Sequence, residues 1–144
     1  MIILGLDPGY AIIGYGIIEK KGSKITPISY GAITTQANTP LAERLSNINS
    51  DIKKLLSKYT VEQVAIEELF FNKNTKTAIS VAQARGVLMT AAYDACKHVF
   101  SYTPPEIKTG VTGFGQATKS QIQYMVTKLL NLEKPPKPDD TADA

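Results

Sequence analysis

The N-terminal stretch MIILGLDPGYAIIGYGII constrains this chain most, because two apolar runs, residues 2–7 and 11–19, are interrupted by Asp7-Pro8-Gly9. Runs of this length and β-branched content predict two buried strands joined by a tight turn, with residues 24–34 returning beside them as a third. A carboxylate at the end of a buried strand is costly unless something pairs with it. Taken alone, Asp7-Pro8-Gly9 is better explained by a type II turn than by a ligand position.

The same pattern recurs in VEQVAIEELFF, which predicts a short buried strand ending in Glu67-Glu68 ahead of Phe70 and Phe71. Between the two, the spacing of Leu41, Leu45, Ile48, Ile52, Leu55 and Leu56 predicts a helix over 39–58, with Thr39 as N-cap and Pro40 at its first position. A second helix over 74–97 is rich in small residues, among them Ala84, Gly86, Ala91 and Ala92, which allow another backbone, including a partner's, to approach closely. HVFSYTP predicts a further strand ended by Pro104-Pro105, and EIKTGVTGFGQATKS a Gly- and Lys-bearing connection. A helix from about residue 120 to 130 follows, behind a Thr118/Gln121 capping box, and EKPPKPDDTADA is a Pro-rich linker leading into the first turn of a last helix. The order implies an α/β fold, a mixed sheet flanked by helices, in a single domain over 1–144.

One histidine, His98, and one cysteine, Cys96, are too few for a zinc site of the His/Cys kind, so any metal must be held by oxygen, which favours magnesium or manganese. A lone cysteine excludes a disulfide framework, and the lack of a signal peptide or long apolar span predicts a cytoplasmic protein with no membrane partner. Sixteen Lys and Arg against 13 Asp and Glu give a net charge of +3, which supports nucleic-acid binding only if the positives cluster. GFGQATKS differs from a phosphate-cradling loop because Thr118 stands where the second glycine belongs.

Asp7, Glu67, Asp140 and Asp143 each sit at or just past the end of a predicted element, and Asp140 and Asp143, three apart, share one helix face. A converging set would repel itself and would accept two hard divalent cations able to clamp a phosphodiester. Individually each acid has a plainer reading: a turn at Asp7, a solvated strand-end acid at Glu67 or Glu68, a helix cap at Asp140 and Asp143. Lys73, Lys76, Arg85, Lys108, Lys119 and Lys128 contact phosphates if they share the acids' face, and are otherwise solvated. Of Phe70 and Phe71, one is expected in the core and one exposed, where it would stack on an unpaired base.

GLDPG with GYGII, AIEELFF, AQARGVL, VTGFGQATKSQIQYMV and KPDDTADA, in order and spacing from Met1 to Ala144, resemble the RuvC family of Holliday junction resolvases. The resemblance implies a ribonuclease-H-like fold with a five-stranded mixed sheet, and a homodimer. It implies cutting of symmetrically related strands at a four-way DNA junction with two magnesium ions per subunit, for which manganese substitutes, in recombination and repair. The products would be 5′-phosphate and 3′-hydroxyl ends, and the RuvA–RuvB branch-migration complex would be a partner. Asp7, Glu67, Asp140 and Asp143 carry over as catalytic metal ligands and Lys119 as a catalytic cation. Phe70 carries over toward bases near the junction centre, and Lys108 and Lys119 toward the backbone near the scissile phosphate.

The family continues its last helix beyond this point with an apolar face, so a stub ending at Ala144 is expected to hold Asp140 and Asp143 loosely. Two other functions stay open. One is a non-catalytic junction-binding module of the same fold. The other is a phosphate-binding domain of the actin-like or sugar-kinase kind, which 144 residues without a second acidic-glycine turn disfavour.

Overall fold

The computed structural model describes residues 1–69 and 75–144, the side chains of residues 75 and 76 excepted. Strand Ile2–Asp7 (β1) lies at the centre of a five-stranded sheet. On one side it pairs antiparallel with Ile12–Lys21 (β2), which pairs antiparallel with Lys24–Thr34 (β3). On the other it pairs parallel with Gln63–Glu67 (β4), and Val99–Tyr102 (β5) runs parallel to β4 at the edge. This is the mixed five-stranded sheet that the sequence predicts.

Alternation along the strands gives the sheet two unlike faces. Leu4, Leu6, Ile13, Ile17, Val64 and Ile66 fill one face and pack against helices Leu41–Tyr59 (α1) and Thr75–Cys96 (α2). α1 contributes Ile48, Ile52 and Leu56; α2 contributes Ala84, Leu88, Ala91 and Ala92. Part of the small-residue content of α2 is therefore spent on close packing inside the chain. The remainder, with Ile79, Ala82, Gly86, Thr90 and Tyr93, forms an exposed stripe at helical spacing.

The opposite face carries Gly5, Asp7, Gly14, Gly16, Ala65 and Glu67, because Gly5 lies opposite Gly16 and Asp7 opposite Gly14 in the β1–β2 register. These glycines form a trough into which the short helix Asp139–Asp143 (α5) settles. A Cβ at Gly14 would collide with the Asp140 carbonyl, and one at Gly5 with the carbonyl of Ala144. Thr141 and Ala142 are buried, and Thr141 Oγ1 donates to the Gly31 carbonyl at 3.0 Å. The short helix is thus seated rather than loose, contrary to the expectation for a stub, because close backbone contact and one side-chain anchor replace the missing helical hydrogen bonds.

Three local readings are corrected. Pro40, not Thr39, is the N-cap of α1, and it has no side-chain cap. Gly9 does not adopt the positive φ that a type II turn requires; it is needed because a Cβ there would strike the Ile12 carbonyl. Pro104-Pro105 ends β5 but also opens a helix, Pro104–Thr112 (α3), capped by a Thr103/Glu106 box, where proline is tolerated because the first-turn N–H groups have no helical partner. The helix Lys119–Leu129 (α4) begins at the predicted Thr118/Gln121 box. Among the described residues no helix is long and apolar enough to cross a membrane.

Gly14→Ala should lower stability by about 1–3 kcal/mol, as an overpacked site does, because α5 must move. Gly110→Ala, in α3 where an added Cβ meets nothing, should raise it by about 0.5–1 kcal/mol. Urea unfolding of the two variants checks the contrast.

Candidate active site

In the β1–β4 register Leu6 lies beside Ile66, and the next residue of each strand is a carboxylate. Parallel neighbours in register point their side chains to the same face, so Asp7 and Glu67 meet at the strand ends on the face that carries α5. Burial first, then the charge and hydrogen bond of Glu67 and the charges of Asp143 and Asp140, push Asp7 up to about 8. Burial also pushes Glu67 above its ordinary value and Asp143 adds to this, against the hydrogen bond from Asp7 and the charges of Lys108 and Lys119. Two carboxyls so placed titrate as a pair and share a proton near neutrality.

α5 brings its acids to the same opening. Asp143 is raised by burial, opposed by the neighbouring Lys119 ammonium. Lys119, the first residue of α4, stands 3.6 Å from Asp143 Oδ2 and 3.5 Å from Asp139 Oδ2. Burial would lower its ammonium, yet Asp143, Asp139 and Asp140 together hold it above the usual value. Gln123, one turn along α4, donates from Nε2 to Asp139 Oδ1 at 2.9 Å and so ties the two helices.

Asp7, Glu67, Asp140, Asp143, Lys108 and Lys119 therefore act electrostatically on one another, as the shifts of Asp7 and Glu67 record. Among the described residues, however, no three acidic, histidine or cysteine side chains are gathered tightly enough to form a ready cation site. The acids are divided: Asp7 turns to Glu67, Asp143 to Lys119. The donor set fits a hard divalent cation in its chemistry, being all carboxylate and short of positive charge, as three raised acids around one opening attest.

Arg85 is employed inside the protein: Nε donates to the Glu67 carbonyl at 2.9 Å and Nη2 to Ser101 Oγ at 2.8 Å, pinning the ends of β4 and β5. Lys128 lies nine residues beyond Lys119, on the opposite side of α4, with its ammonium 5.7 Å from the Tyr124 ring. Phe70 and Lys73, and the side chain of Lys76, lie outside the described residues. Sequence reasoning passed over Asp139 and Gln123, the latch beside Lys119, for which the doubled Asp139-Asp140 was the only signal. It also passed over the glycine trough, although Gly5, Gly14 and Gly16 alternate with apolar residues on paired strands and could have been read as one small-residue face.

Asp7, Glu67 and Asp143 all have raised values in the folded protein, so between the ordinary carboxylate range and about pH 8 the native state binds more protons than the unfolded chain. Stability contributed by these groups is complete below the unfolded values and is lost as pH rises. In chelator the melting temperature should fall from pH 5 to pH 8 on their account, and Asp7→Asn should flatten the slope; a wild-type slope unchanged by the substitution would contradict the pairing.

Comparison with known proteins agrees with this arrangement. The family model described as Crossover junction endodeoxyribonuclease RuvC matches residues 3–144. The chain is 56% identical over 144 residues to the RuvC of Clostridioides difficile (strain 630), covering 100% of this chain and 85% of that protein. It is 54% identical to the RuvC of Alkaliphilus oremlandii (strain OhILAs), covering 100% and 88%. The solved structure of Thermus thermophilus RuvC in complex with Holliday junction substrate superposes with a TM-score of 0.92 at 32% identity, over 100% of this chain and 88% of that one. Identity at this level over the whole length means that the chain belongs to the RuvC family of crossover junction endodeoxyribonucleases, with the ribonuclease-H-like fold its motifs implied.

Proposed function

We propose that this chain is a structure-selective endonuclease that resolves four-way DNA junctions in recombination and repair, hydrolysing phosphodiesters with two magnesium ions per subunit, for which manganese substitutes. The observation that carries the reading is the half-buried Asp7–Glu67 pair at the ends of neighbouring parallel strands, with the charges of Asp140 and Asp143 acting on Asp7 as well. Family membership and the Thermus thermophilus protein solved with Holliday junction substrate support it.

Asp7, Glu67, Asp140 and Asp143 would hold the cations, which when bound activate a water for attack on phosphorus and stabilise the departing 3′ oxygen. Asp7, on which all three other acids act, would be the central ligand of the set. Lys119 stands at the start of α4 beside Asp143, so its ammonium and the first-turn N–H groups can balance charge that builds on the phosphate. Lys108, whose charge reaches Glu67, approaches the same backbone. Phe70, Lys73 and Lys76 contact the DNA by family resemblance, Phe70 near the junction centre. Arg85, in the same set of proposed DNA contacts, also holds the Glu67 backbone. The cut leaves a 5′-phosphate and a 3′-hydroxyl.

Symmetric cutting of two strands needs two centres, and a homodimer supplies them. The exposed stripe of α2 with Ile79, Ala82, Gly86 and Tyr93 supports an interface there. A single nuclease domain in the cytoplasm, working with a RuvA–RuvB branch-migration complex, completes the reading.

A mobile four-way junction should be cut in magnesium and left intact in chelator. Asp7→Asn and Glu67→Gln should each reduce the rate by about 10³-fold or more while junction binding persists. Lys119→Ala should lower kcat by about 10²–10³-fold with little change in affinity. A wild type that binds the junction without cutting it in magnesium would make the chain a binding module.

A further inference from the structure

Four residues of α1 are buried at a helical repeat of four, Arg44, Ile48, Ile52 and Leu56, and the first of them is charged. Arg44 is only 6% exposed, and no carboxylate among the described residues pairs with it. A buried guanidinium without an acid is costly, and an aliphatic side chain would continue the stripe at less cost. Its donors go elsewhere: Nε and Nη2 donate to Thr35 Oγ1 at 3.0 and 2.6 Å, and Nη2 also donates to the Tyr10 carbonyl at 3.3 Å. The guanidinium carbon lies over the Tyr10 ring, 3.6 Å from the ring centroid. Thr35 completes the arrangement, donating from Oγ1 to the Tyr10 carbonyl at 2.9 Å and from its N–H to the Ala11 carbonyl at 3.0 Å.

Through these bonds Arg44 and Thr35 together grip the segment between β1 and β2, which begins directly after Asp7. Pro8 is buried, and Gly9 has no room for a side chain against the Ile12 carbonyl, so the segment is fixed at one end by packing and at the other by Arg44 and Thr35.

We propose that Arg44 and Thr35 are positioning residues for Asp7: by clamping the Tyr10 carbonyl they fix the turn that follows Asp7 and hold its carboxyl at the shared opening. The proposal rests on the reading of Asp7 as a cation ligand. Neither residue touches the reacting atoms, and groups supporting metal ligands in this way change metal affinity about 10–100-fold.

Thr35→Val removes the hydroxyl at constant shape, Arg44→Met removes the charge, and Thr35→Ser restores the hydroxyl. The magnesium concentration at half effect is measured twice for each, from the cation-induced rise in melting temperature without DNA and from junction cleavage. Thr35→Val and Arg44→Met should raise both midpoints about tenfold, and Thr35→Ser should stay near wild type. Variants that melt lower in chelator but keep the wild-type midpoints overturn the clamp and leave Arg44 as packing. A wild type whose melting does not respond to magnesium overturns the cation-site reading, and the clamp with it.

Discussion

Two carboxylates at the ends of neighbouring parallel strands are the constraint around which the rest is organised. Because β1 and β4 run in the same direction and in register, Asp7 and Glu67 cannot avoid one another. An antiparallel β1–β4 pairing would have put them at opposite ends of the two strands. Once together and partly buried, they share a proton near neutrality, and every further acid brought to that face makes the pair harder to ionise. The chain nevertheless brings two more, on a helix that lies directly on the sheet.

That helix can lie there only because the sheet is bare beneath it. Gly5, Gly14 and Gly16 lower the surface by the thickness of a side chain, so that the Asp140 and Ala144 carbonyls rest where Cβ atoms would otherwise stand. The opposite face has the reverse character, with large aliphatic side chains holding α1 and α2. Stability is thus concentrated on one face and electrostatic strain on the other, a division expected when a site must gather like charges for use. Lys119 and Lys108 offset part of the repulsion, and the Asp139–Gln123 contact keeps α4, and with it Lys119, beside α5.

Much of this was legible in the sequence because the pattern is local: apolar runs ended by acids, a capping box at Thr118, a helical stripe along α1. The resemblance across five motifs supplied the convergence that spacing could not. Other features were hidden because they depend on tertiary neighbours. α3 is a different case: its Thr103/Glu106 capping box is local and stood in the sequence, but Pro104-Pro105 was read only as a strand end. The structural bonds of Arg85 were hidden because nothing in its helix reveals that the Glu67 carbonyl and Ser101 lie within reach. Arg44 escaped notice for the same reason, its partners Tyr10 and Thr35 being 34 and 9 residues away. The short α5 looked too brief to be held, a judgement that counted helical hydrogen bonds and not the trough below.

The most direct measurement is calorimetric: manganese binding to the DNA-free protein at pH 7 in buffers of differing ionisation enthalpy, which counts the protons released. If the acids form one site in which Asp7 keeps its proton up to about pH 8, cation binding must expel close to one proton, and Asp7→Asn must abolish both the release and most of the affinity. Manganese bound equally well by Asp7→Asn, or bound by the wild type with no proton released, would contradict a shared site built on that carboxyl.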